Sequence, residues 1–209
     1  MHARYGDVPA TKPAPAVRRA GRADLDGVSG ALARAFHDDP VMTWMFPDDA
    51  RRVGLNEHFF RLRVRGLLEQ DEVYTTEDHG GAAVWSVPGR WRMGGLESAV
   101  FGVRILPMVW RRATTLARGW AKVEEAHPTE PHYYLAILGT EPAIQGRGVG
   151  SALIHPVLDG CDRDDIGAFL ESSKEENIAF YSRHGFRVTG ELQMPEGPPI
   201  WQMWRDPRP

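Results

Sequence analysis

The sequence has one cysteine in 209 residues. Cys161 therefore forms no internal disulfide. It closes a helical pattern with no metal-ligand spacing around it, so it reads as a small buried apolar residue, and no metal site is expected. A chain without disulfides suits a reducing cytoplasm. No stretch reaches about 18 consecutive apolar residues, which excludes a membrane-spanning helix. The N-terminus lacks the apolar core of a signal peptide. A net charge of −3 provides no general electrostatic footprint for nucleic acid. No internal repeat is present, and only the N-terminal tail is compositionally biased.

What is present fits one globular α/β domain. The chain is 42% hydrophobic and 25% charged, ordinary values for such a fold. Residues 1–15 are rich in Pro and Ala and are expected to be a mobile tail. The domain then spans 16–209. A short strand is predicted at 16–20. An amphipathic helix capped by Asp24 follows, with Leu25, Val28, Leu32 and Phe36 on its inner face. Residues 40–47 read as an apolar loop. A longer helix, capped by Asp48 or Asp49 and reaching about Gln70, turns Val53, Phe60, Val64, Leu67 and Leu68 inward. Its solvated face carries Arg51, Arg52, Arg61, Arg63 and Arg65. Strands at 72–76 and 81–87 form a hairpin. Two helical stretches fill 94–126, broken at Pro107. Further strands are predicted at 132–140 and 167–172, a short helix at 176–184 with Gly185 as its left-handed cap, and a closing hairpin at 186–194 and 199–204.

The chain is organised around residues 132–158. His132 to Thr140 is an apolar strand, stopped by Pro142. Val149, Leu153, Val157 and Leu158 fall at helical spacing. Between them runs Gln145-Gly146-Arg147-Gly148-Val149-Gly150-Ser151. The first turn of a helix has unpaired N–H groups and a positive dipole end. Glycines admit a close backbone approach, and Gln145, Arg147 and Ser151 add donors, so the segment suits a pyrophosphate. It lacks the lysine of a Walker loop and the spacing of a dinucleotide fingerprint. A turn that needs glycine for its shape alone is the competing reading.

Gln145-x-x-Gly148-x-Gly150 between strand and helix resembles the acyl-CoA loop of the GNAT acyltransferases. Downstream, Asn177-x-x-Phe180-Tyr181-x-x-x-Gly185-Phe186 resembles that superfamily's next helix and the strand after it. Glu130-Pro131, Phe169-Leu170-Glu171 and Pro195-Glu196-Gly197-Pro198 narrow the likeness to puromycin N-acetyltransferase and its relatives. The similarity is strong from about Glu130 onward and loose before it. It implies a mixed, mostly antiparallel central sheet flanked by helices, with a helical insert before the acetyl-CoA-binding strand. It implies acetyl-CoA as acyl donor, contacted by Leu138, Gly139, Thr140, Gln145, Gly146, Arg147, Gly148, Val149, Gly150, Ser151 and Asn177. The oxyanion donor would be a backbone N–H near Leu138, where the strand splays from its neighbour.

The resemblance makes Tyr181 the general acid; a tyrosine, with an ordinary pKa of about 10, stays protonated beside a departing thiolate. Glu171 is the candidate base, with an ion-pair role or a base-free water chain as alternatives. His132 starts its strand too far away. Trp44 and Phe46 are candidate walls of the acceptor site or core residues. The expected activity is acetyl transfer to a primary amine of a small molecule, by a cytoplasmic monomer or homodimer with no nucleic-acid or membrane partner. A protein N-terminus or lysine is the alternative acceptor. A non-catalytic acyl-CoA sensor and a nucleotide phosphate-binding protein are the alternative classes, the latter disfavoured by the missing phosphate-loop lysine.

Overall fold

The computed structural model describes residues 15–68 and 72–208. Most of the expected tail, 1–14, lies outside the described residues. Seven strands form one sheet in the order β1-β2-β3-β4-β5-β7-β6. They are β1 (Val17–Arg19), β2 (Glu72–Thr76), β3 (Gly81–Ser86), β4 (His132–Thr140), β5 (Gly167–Ser172), β6 (Arg187–Gln193) and β7 (Pro199–Arg205). Only β4 and β5 pair in parallel. This is the mixed, mostly antiparallel sheet that the motif order implied.

Helices α1 (Leu25–Ala35), α2 (Pro40–Met45), α3 (Asp49–Leu67), α4 (Gly95–Val109) and α5 (Ala113–Ala126) precede β4. Helix α6 (Val149–Asp164) joins β4 to β5, and α7 (Glu176–Arg183) joins β5 to β6. Two apolar cores result. One gathers α1, α2, α3 and the insert around Val84 and Ile137. The other packs α6 and α7 around Trp85, Leu135 and Leu170.

The 40–47 segment differs from expectation. It is the helix α2, because the Asp39 carboxylate accepts from the Val41 and Met42 N–H groups at 2.9 and 3.0 Å and Pro40 occupies the first turn. Trp44 and Phe46 are buried in the first core rather than lining a cavity. Val53 is 40% exposed, and Phe59 takes the inward place beside Phe60. Arg52 is no solvated face residue: it is buried and donates to the Phe46, His37 and Pro47 carbonyls, tying α3 to the end of α2. Helix α4 runs through Pro107 and breaks at a 3-10 turn, Trp110–Arg112. Asp24 precedes α1 without capping it. Its carboxylate instead receives Arg18, the Gly21 N–H and His79, stitching β1 to the β2–β3 hairpin.

Two features open the centre of the sheet. Val84 pairs with Ile137 and Trp85 with Leu135, so Ala136 is an extra residue on β4, a bulge that bends the strand. The β4–β5 pairing runs from His132–Gly167 to Leu135–Leu170 and goes no further. Beyond it β4 continues paired with β3 alone. The β5-side backbone groups of residues 136–140 thus have no strand partner, as the expected splay requires.

Candidate functional site

Below the splay lies a cleft of about 430 Å³. Its lining includes Leu138, Gly139 and Thr140 from β4, Gln145, Gly146, Gly148, Val149, Gly150 and Ser151 from the turn and α6, and Asn177 and Tyr181 from α7. Every residue expected to contact acetyl-CoA except Arg147 is therefore gathered there, together with Tyr181. Arg147 is exposed at the tip of the turn and does not line the cleft.

The turn's shape explains its glycines. Gly146 and Gly148 have φ of +73° and +83°, conformations that L side chains rarely adopt. Gly148 is the N-cap of α6 and supplies no side-chain cap, so the first-turn N–H groups of α6 remain available to a ligand. A Cβ at either glycine would meet nothing within 4 Å, so the surface stands open. Such a surface, at the positive end of α6, can take phosphate groups.

Gly139 is held to glycine by a close neighbour. A Cβ there would lie 2.7 Å from Leu32 Cδ2 and 2.9 Å from Phe36 Cε2. The close neighbour is helix α1. Asn177 sits inside α7, whose N-cap is Glu175, and is exposed, so it does not cap the helix. Ser151 Oγ and His184 Nε2 are 3.0 Å apart, so the serine hydroxyl already has a protein partner.

Tyr181 is buried, and burial, then the negative charge of Asp39, raises its phenol well above the ordinary tyrosine value. It is a proton holder at any physiological pH. Cys161 is buried with its thiol pushed up to about 12 by desolvation, so it is a packing residue.

A second cavity, about 240 Å³, adjoins the first; Phe36 and Asp39 line both. Its walls are mostly apolar, with the rings of Phe59, Trp91, Phe101 and Trp120 prominent, and its polar groups include Glu171, Tyr134 and His127. Glu171 and Tyr181 thus belong to neighbouring chambers. Burial, then the charge of Glu171 and a hydrogen bond to it, hold the Tyr134 phenol protonated. Asp39 is pushed up by burial, against the hydrogen bond from Ser173.

Sequence reasoning missed Asp39, Trp91, His127 and Tyr134. Strand alternation could have found Tyr134, since Tyr134 pairs with Phe169, two residues before Glu171. Nothing local marks His127, which follows α5, or Trp91, which sits between β3 and α4. Their rings stack at 3.6 Å and 21°.

Residues 98–205, just over half of the chain, match a family model described as an acetyltransferase (GNAT) domain. An uncharacterised N-acetyltransferase of Schizosaccharomyces pombe is 23% identical over 191 residues, covering 82% of this chain and 74% of that protein. A Corynebacterium glutamicum structure described as histone acetyltransferase HPA2 and related acetyltransferase superposes with a TM-score of 0.73 at 23% identity, covering 94% of this chain and 98% of that one. An Aedes aegypti arylalkylamine N-acetyltransferase 2 gives 0.61 at 13% identity, covering 92% and 99%. At these identities the structural likeness concerns the fold.

Proposed function

The chain belongs to the GNAT acetyltransferase family, and from that premise we propose that it moves the acetyl group of acetyl-CoA to a primary amine of a small molecule. Acetyl-CoA occupies the cleft with its pyrophosphate on the 146–151 turn, and the amine enters the aromatic chamber. The observation that carries this reading is the contact of the two cavities at Phe36 and Asp39, with Tyr181 in one and Glu171 in the other.

The chemistry follows from that placement. Glu171, deep in an apolar chamber, attracts an ammonium and takes its proton, freeing the nitrogen lone pair. The nitrogen attacks the thioester carbonyl, whose oxygen gains charge beside the unpaired backbone of β4 near Leu138. The C–S bond then breaks, Tyr181 gives its proton to the departing sulfur, and the second proton that the nitrogen sheds as the amide forms restores the phenol. Asn177 meets the pantetheine arm. The aromatic walls favour an acceptor with an apolar body and one amine, which supports a small molecule over an extended peptide.

The test is thiol release from acetyl-CoA with a panel of amines: arylalkylamines, puromycin, aminoglycosides, amino acids and short peptides. The panel includes puromycin because of the motifs shared with that type of enzyme. Faster release with the aromatic small amines is the expected result; release with peptides alone would transfer the acceptor assignment to proteins. Acetyl-CoA binding without release would favour a sensor.

A further inference from the structure

Three polar contacts run in series away from the aromatic chamber. His127 Nδ1 lies 3.5 Å from Glu171 Oε1. His127 Nε2 lies 3.0 Å from His132 Nε2. His132 Nδ1 lies 2.6 Å from the Glu130 carbonyl oxygen. Both imidazoles are buried, the Glu171 side chain is 8% exposed, and Glu171 Oε1 is buried with no hydrogen-bond partner, so its contact with His127 is an ion-pair approach.

The protons in this series can be counted. A carbonyl oxygen only accepts, so His132 Nδ1 carries a hydrogen and donates it to Glu130. Burial favours the neutral form of His132, which leaves its Nε2 as an acceptor. His127 Nε2 must then carry a hydrogen. A neutral His127 would turn a bare Nδ1 lone pair toward the carboxylate. The two hydrogen bonds use the two protons of two neutral imidazoles, and the approach of Nδ1 to the carboxylate is attractive only with a third.

We infer that the series holds one extra proton, carried on His127 Nδ1 and facing Glu171 Oε1 as an ion pair, and that His127 is thereby the positioning residue that sets the charge of the chamber's base. An imidazole is more basic than a carboxylate, so the proton resides on the ring. The inference deepens the reading of Glu171 given above and rests on it for its catalytic consequence. Loaded, the series places a cation 3.5 Å from the carboxylate oxygen and avoids a lone buried anion. Once that proton has left, Glu171 is the uncompensated anion that takes a proton from the ammonium. Acetylation of an ammonium releases one proton overall, and Glu171 is the group that first takes it.

The surroundings agree. Trp91 stacks on His127, and Tyr134 and Phe169 meet the ring edge-on. Around the same chamber stand Arg63 on α3, Arg92 beside Trp91, Glu124 on α5 and Asp39 before α2, while the Glu130 and Glu171 carboxylates act on His132.

Nitrogen-15 NMR of the histidine-labelled full chain tests the proton count without any substrate. At pH 7, His127 should be protonated on both nitrogens and His132 should be a neutral Nδ1–H tautomer. In Glu171→Gln the side-chain amide can donate the third hydrogen, so His127 should become a neutral Nε2–H tautomer. A neutral His127 in the unmodified protein, or an unchanged doubly protonated ring in Glu171→Gln, would overturn the inference. With an acetylated amine in hand, His127→Gln should move the acidic limb of the kcat/KM–pH profile down by about one unit or more, the scale of a close charge partner. An unmoved limb would deny His127 its influence on the base. Failure of every amine would count against the proposed function alone, because the NMR result stands independently.

Discussion

The Ser173 hydroxyl donates to the Asp39 carboxylate, joining the residue after β5 to the cap of α2 at the wall shared by the two cavities. Asp39 has three tasks there: it caps α2, accepts from Ser173 and raises the phenol of Tyr181. Asp39→Ala should cost about 0.5–2 kcal/mol through the lost cap. Thermal unfolding measures this as a lowered Tm, and an unchanged Tm would deny the cap its structural weight.

Tyr181→Phe removes the proton holder and little else, because the ring stays packed near Phe180 and Phe186. Turnover should fall about 10²-fold or more, the range of general acid catalysis. Acetyl-CoA affinity, followed by calorimetry, should stay within a factor of about two of the original. Undiminished turnover would remove Tyr181 from the mechanism.

Gly148→Val places a β-branched side chain at φ +83° on the open surface of the turn. Strain and steric block should together weaken acetyl-CoA binding by at least about tenfold, or 1.4 kcal/mol. Calorimetry with circular dichroism separates lost binding from lost folding; unchanged affinity in a folded variant would sink the assignment of the turn.

Gly139→Ala should destabilise the fold by about 1–3 kcal/mol, since the new methyl group meets Leu32, Phe36 and Ala35 at once. Urea denaturation with the companion variant Leu32→Ala gives the check. If α1 is the cause, the pair should cost less than the sum of the single changes.

Acid stability should depend on Asp24. Its carboxyl is held well below the ordinary value, first by the Arg18 guanidinium and then, against burial, by the Gly21 N–H and His79. A lowered folded pKa stabilises the protein above the unfolded value, about 3.9, and that contribution fades as pH falls through the folded value. Asp24→Asn should therefore lower stability at pH 7, by an amount that shrinks toward pH 3. Asp39, raised by burial, works in the opposite sense: its ionised form costs stability as pH rises above the ordinary carboxylate value. Denaturation midpoints of both Asp→Asn variants against pH distinguish the two.

Much of this protein was legible because its signals are local. A glycine that must hold φ near +80°, a proline that ends a strand and an apolar period of two or 3.6 act within a few residues. The turn at 146–151, helix α6, strand β5 and the left-handed Gly185 could be read for that reason. So could the sheet's order of elements after β4. Errors arose where a distant partner decided the outcome. Arg52 looked solvated until three carbonyls at the ends of α1 and α2 enclosed it. Trp44 and Phe46 looked equally fit for a cavity wall or a core.

The sequence by itself determined the glycine turn before α6 and the tyrosine on α7, since backbone conformation and residue type are properties of short segments. Only the tertiary structure decided that β4 bulges at Ala136 and parts from β5, and that Phe36 and Asp39 border both cavities. Only it brought His127 between Glu171 and His132, 3.5 and 3.0 Å away. Those contacts join α5's end to two neighbouring strands, and no pattern along the chain encodes which of its distant parts will touch.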